Sequence, residues 1–210
     1  HVNTLEDAKG VLLQDIDGSL DLIRAVNALT AEAGKLTQLS STQRDLIIEW
    51  SFVKIHAAWE NFLEDCFLAY MVGVHTESGF GPERYVFPTD EQPALDIVLG
   101  GREYFPWTAP EAVGRQARLC FKDGKPFSEV LGESASDLQE VNTVRNVIVH
   151  QSRVAVEKFK SVVRSKIVTL PPDITPAGYL VATRAGGMAQ RTYLSHYCTK
   201  LRVVAAKIVP

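Results

Sequence analysis

Residues 40–74 constrain this chain most, because they read as one long helix that is apolar over far more than a single edge. Ser40 followed three residues later by Gln43 fits a capping box, and apolar periodicity begins at Leu46. Ile48, Phe52, Ile55, Trp59, Phe62, Cys66 and Tyr70 then recur at three- and four-residue steps. Trp50, Leu63, Phe67 and Met71 widen the apolar surface beyond that stripe. A helix of this kind is central to a core or shared with a partner chain.

Its surroundings are also helical. Residues 4–35 place Leu5, Ala8, Leu12, Ile16, Leu20, Ile23 and Val26 on one face, with Gly10 and Gly18 weakening the pattern without breaking it. Residues 76–130 form a loop-rich insertion punctuated by Gly and Pro, with room for short helices around 90–100 and 109–121. Within it, Tyr104, Phe105 and Trp107 form an aromatic knot, read as a plug against the helices or as a base-stacking platform. Ser136 or Asp137 can cap a helix ending at His150, with Leu138, Val141, Val144 and Ile148 inward. Gln151-Ser152 make a break, and 153–166 form the next helix, with Val156, Phe159 and Val163 inward. Residues 175–187 read as a short β element, with Tyr179–Thr183 as the strand and Gly186-Gly187 as its turn. A last helix spans 188–208. The expectation is an all-α fold, one domain over residues 1–210, with a loop-rich insertion and a short β element before the last helix.

Composition narrows the function classes. A hydrophobic fraction of 46% and a charged fraction of 22% suit a chain that buries a core. The formal net charge of −3 gives no global case for polyanion binding, so nucleic acid would need a local basic patch. Cys66, Cys120 and Cys198 are widely spaced and odd in number, which argues against a disulfide framework and a zinc site. No apolar run approaches the ~20 residues of a membrane span, and the acidic, polar start does not read as a signal peptide. The expected setting is the cytoplasm, with no membrane partner.

Phosphate loops, dinucleotide glycine fingerprints, HExxH, CxxC and the GxSxG elbow are all missing. His56 falls in the apolar helix and reads as a satisfied core or interface residue. His75 and His196 have no carboxylate or cysteine at helical metal spacing, so no metal and no cofactor is expected.

What stands out is the segment Arg145-Asn146-Val147-Ile148-Val149-His150, which sets three polar groups into an otherwise apolar helix. Asn146 and His150 are four apart and share a face. Arg145 lies about 140° from His150 around an ideal helix. A long Arg side chain partly closes that gap, or a two-fold partner supplies the missing group. The plain alternative is a helix end dressed with polar residues, where the dipole favours a His.

This segment resembles the R-x(4–6)-H signature of the HEPN superfamily, in which a polar residue commonly follows the Arg. The run Ala58-Trp59-Glu60-Asn61-Phe62-Leu63-Glu64 and the tail Thr175-Pro176-Ala177-Gly178-Tyr179-Leu180 look like the same group, closest to its RiboL-PSP branch. The resemblance covers most of the chain and leaves out the insertion. It implies a helical bundle that forms a homodimer around the motif helix, and a metal-independent endoribonuclease in a toxin or antiviral-defence setting. Arg145, Asn146 and His150 would then be catalytic. An imidazole titrates near neutral pH and can move a proton at the 2′-OH or the leaving 5′-oxygen. Arg145 would hold the phosphate, and Asn146 would orient His150 or donate to a phosphate oxygen. The products would be a 2′,3′-cyclic phosphate and a 5′-hydroxyl. Arg153, Lys158 and Lys160 could carry flanking RNA phosphates, although a solvated helix face explains them as well. The rival classes are a non-catalytic dimeric module that binds a partner such as an antitoxin or defence protein, or a nucleotide, and a small-ligand sensor built on the aromatic insertion.

Overall fold

The computed structural model describes residues 4–31, 39–166, 171, 173–184 and 191–210. Helix dominates throughout, and strand pairing among the described residues is confined to two isolated bridges. In chain order the helices are α1 (Leu5–Ala31), α2 (Ser41–Val72), α3 (Glu91–Leu99), α4 (Pro110–Cys120), α5 (Phe127–Glu133), α6 (Ala135–His150), α7 (Arg153–Lys166), α8 (Pro176–Val181) and α9 (Tyr193–Ile208). No helix among the described residues is long and apolar enough to cross a membrane.

The capping box forms as its spacing requires. The Ser40 amide donates to Gln43 Oε1 at 2.9 Å, and the Gln43 amide donates to Ser40 Oγ at 3.2 Å. From there α2 runs for 32 residues, about 48 Å at 1.5 Å per residue. Every member of its expected stripe from Ile48 to Tyr70 is buried, as are Leu63, Phe67 and Met71, whereas Trp50 and Leu46 face outward. The α1 stripe holds except at Leu20. Ser19 takes the inward position between Ile16 and Ile23, and Leu20 is only half-buried. A step of three then four residues fits there, and a buried serine is invisible to an apolar count.

The chain divides into two compact units whose boundaries cut α1, α2, α6 and α9. The first comprises residues 1–13, 58–139 and 200–210. Its centre is aromatic: the Phe67 ring lies 5.4 Å from Trp107, 5.1 Å from Phe121 and 4.9 Å from Phe127. Phe105 and Trp107 are buried and meet edge to face, so two of the three knot residues serve as the plug, while Tyr104 is exposed and donates its hydroxyl to Glu60. Inside the insertion α3 and α4 fall at the expected places. The Gly-rich stretch after them also holds α5, which was not expected. Tyr70 Oη donates to the Ile208 carbonyl at 2.7 Å and Lys9 Nζ to the Val209 carbonyl at 2.8 Å, satisfying acceptors at the end of α9.

The second unit comprises residues 14–57 and 140–199. Phe52, Phe159, Tyr179, Tyr193 and Tyr197 fill it, with Tyr179 stacked on Tyr193 at 4.4 Å. Tyr179 and Tyr197 share a hydroxyl contact at 2.9 Å, and Tyr197 donates onward to Glu140 Oε2 at 3.2 Å. Glu140 is also ion-paired to Lys166 at 2.8 Å. In α7, Ala155, Phe159 and Val163 are buried, and the expected Val156 is only half-buried.

Two expectations are corrected. Residues 179–183 are not a strand: Pro176–Val181 form α8, and the β character shrinks to one bridge between Thr183 and Thr192. The cause is local capping. Thr175 Oγ1 accepts from the Gly178 amide at 2.9 Å, and Pro176 stands in the first turn, where its lacking N–H costs nothing. These outweigh the β-branched composition of Val181 and Thr183. In addition α6 begins at Ala135, so Ser136 and Asp137 lie in its first turn rather than at its cap. The last helix is described from Tyr193; the expected Gly186-Gly187 turn and the 188–190 start of the last helix lie outside the described residues.

Candidate functional site

The Arg145 to His150 segment closes α6 in the second unit. Val141, Val144, Val147 and Ile148 are buried and anchor the helix, which leaves Asn142, Arg145, Asn146 and His150 on its wetter side. Asn146 and His150 are exposed and Arg145 is half-buried. One guanidinium nitrogen joins the set: Arg145 Nη1 donates to Asn146 Oδ1 at 3.1 Å and lies 3.3 Å from His150 Nε2. A guanidinium only donates, so in this contact Nε2 is the acceptor.

All three expected catalytic residues therefore converge within one chain. The wide angle between Arg145 and His150 is bridged by the length of the Arg side chain, so the geometric reason for invoking a two-fold partner falls away. Asn146 does not orient His150 here. Its carbonyl oxygen is taken by Arg145, which leaves its amide as a donor.

The chain turns sharply just beyond. Gln151 has φ 45°, a left-handed conformation that non-glycine residues adopt at a cost, and its amide reaches the Val147 carbonyl at 3.3 Å. Ser152 then caps α7, its Oγ accepting from the Ala155 amide at 3.2 Å. The first turn of α7 carries no acid, and its first residue is the exposed Arg153. A cation at a helix N-terminus opposes the dipole and is stabilised when an anion binds there.

The expected phosphate-contacting residues differ in availability. Arg153 and Lys158 are exposed and pair with no acid among the described residues. Lys160 is ion-paired to Glu157 at 3.3 Å.

One neighbour of the motif was not singled out as part of it. The buried His56 places Nε2 2.8 Å from Asn142 Oδ1, one turn before Arg145 and Asn146 on α6. His56 is thus a satisfied interior histidine, as its apolar setting implied. Asn142 carried one signal in the sequence, its position four residues before Asn146.

All three cysteines are buried, and burial pushes the Cys66 and Cys120 thiols up, as suits inert core residues. Among the described residues no group of three His, Cys, Asp or Glu side chains is placed to hold a metal ion. No protein-family profile, curated protein or solved structure matches the chain.

Proposed function

We propose that the chain is a HEPN-type endoribonuclease that cuts RNA by attack of a ribose 2′-oxygen on the adjacent phosphorus. The observation that carries this is the 3.3 Å approach of Arg145 Nη1 to His150 Nε2 at the exposed end of α6. A planar cation beside an imidazole is the pairing that in-line phosphoryl transfer needs: one group holds oxygens on which charge gathers, the other moves a proton.

In the free protein Nε2 accepts from Arg145. A bound phosphate competes for the guanidinium, because a charge-assisted pair with phosphate oxygens outweighs a contact with a neutral ring. Arg145 then turns onto the phosphate and releases Nε2. His150 takes the 2′-OH proton as the 2′-oxygen bonds to phosphorus, and the bond to the 5′-oxygen breaks. The 5′-oxygen leaves with a proton from His150 or water, giving a 2′,3′-cyclic phosphate and a 5′-hydroxyl. The amide of Asn146 faces the same space as a neutral donor. Arg153, at the acid-free start of α7, favours a second phosphate next to the site.

Arg145 supplies the positive charge, so cutting is expected to persist in excess chelator. The decisive experiment incubates the wild type and His150→Ala with single-stranded RNA and analyses the ends of the products. The wild type should leave cyclic phosphate and 5′-hydroxyl ends. His150→Ala should lose cutting by at least about a hundredfold while keeping its circular dichroism. A folded wild type that cuts nothing would favour the rival reading, a non-catalytic binding module.

A further inference from the structure

A second cluster of cations lies in the same unit and has no part in the Arg145–His150 chemistry. After α8 the chain makes an isolated antiparallel bridge, Thr183 to Thr192, and the Arg184 amide donates to the Arg191 carbonyl at 2.8 Å. That pairing sets Arg184 and Arg191 directly opposite each other, and opposed residues of an antiparallel pair project to the same face. Two like charges so placed repel.

His196 joins them. It lies within the first turn of α9, and Arg184 Nη1 is 3.1 Å from its Nδ1. A guanidinium cannot accept, so Nδ1 does. Arg184 is thereby held by a ring and not by an acid, and its charge stays uncompensated. Among the described residues no carboxylate lies within ion-pair distance of Arg184 or Arg191.

We propose that Arg184, Arg191 and His196 form a second binding site for a phosphate group, carried either by an RNA backbone or by free phosphate. The planar forks of two arginines match the oxygens of a tetrahedral phosphate, and an anion between them turns their repulsion into a bridge. The site is distinct from the motif. Tyr193 Oη donates to the carbonyl of Lys166, the last residue of α7, at 3.4 Å. His150 precedes the first residue of α7 by three positions, and a helix of 14 residues is about 21 Å long. The two clusters therefore belong to opposite ends of one helix.

The test uses the full chain carrying His150→Ala, so that RNA is bound without being cut. Histidine ring signals are followed by nuclear magnetic resonance, with His196 identified through His196→Gln. Sodium phosphate is added in one series and a fully 2′-O-methylated oligonucleotide in another. The His196 signal should move along a saturable curve in at least one series. Arg184→Gln with Arg191→Gln should weaken that binding about tenfold or more. In the oligonucleotide series the double variant should also flatten the salt dependence, by about 0.7 in logarithmic slope for each lost contact. A response to phosphate alone assigns the site to free phosphate, and a response to the oligonucleotide alone assigns it to RNA. If the double variant does not fold, Arg191→Gln alone carries the test. A His196 signal that neither ligand moves, or that moves unchanged in the Arg variant, overturns the proposal. Because binding is read in a chain that cannot cut, the result is separate from the fate of the endoribonuclease reading.

Discussion

Arg145 and His150 stand five residues apart, and how far the guanidinium reaches decides whether they form a site. The reach is sufficient, with Nη1 touching both Asn146 and His150. If Arg145 stabilises charge that appears only as the 2′-oxygen attacks, removing it should lower kcat more than it weakens RNA binding. Arg145→Lys is the sharper substitution, because it keeps the charge and loses the planar fork. Single-turnover kinetics should show a loss of about a hundredfold, or about 3 kcal/mol, with little recovery by Lys. Near wild-type turnover in Arg145→Lys would mean that the residue only positions the backbone. These residues stood out in the sequence as polar groups set among apolar neighbours along the chain. Their contact was not, because it depends on Arg torsions that helical periodicity does not encode.

Among the elements, α7 is the one whose outer face should govern binding without touching the rate. Neutralising Arg153 and Lys158 should weaken RNA affinity and flatten its salt dependence by about 0.7 in logarithmic slope per contact. Turnover on saturating RNA should stay nearly unchanged. Lys160→Gln should do less, because its charge is already paired with Glu157. A fall in kcat with unaltered affinity would contradict this division of roles. In α1, Gly10 and Gly18 are exposed, and a Cβ built on either meets no atom within 4 Å. Gly18→Ala should therefore stabilise the chain by about 0.5–1 kcal/mol, read from urea unfolding, because Ala loses less backbone entropy in a helix. No gain would mean that the helix is frayed there. Both elements were readable from periodicity, and α7 also from the Gln151-Ser152 break before it, signals that act within a few residues. By contrast α8 was misread because its Thr175 cap, the bond that decided it, lay just outside the apparent strand.

Across the whole molecule, burial strongly perturbs three tyrosines as well as the Cys66 thiol. Burial raises the native values of Tyr70, Tyr179 and Tyr197 well above their usual range, so both units hold these hydroxyls neutral. Their contribution is fully present below the unfolded value near pH 10 and is lost as pH rises toward the raised native values. Urea unfolding followed from about pH 8 to 11 should show stability falling above about pH 9. In Tyr197→Phe the fall should be shallower, although the variant starts about 1–3 kcal/mol less stable because Tyr179 loses a buried partner. An equally steep fall in Tyr197→Phe would move the effect elsewhere. By itself the sequence determined that the chain is helical, where most helices start and stop, and which stripe of each is buried. Those outcomes follow from hydrophobic period and capping, both local along the chain. Tertiary structure decided the exposure of Trp50, the inward turn of Ser19 and the Asn142 contact of His56. Each depends on what neighbouring elements bring to that position, and no window of residues along the chain contains that information.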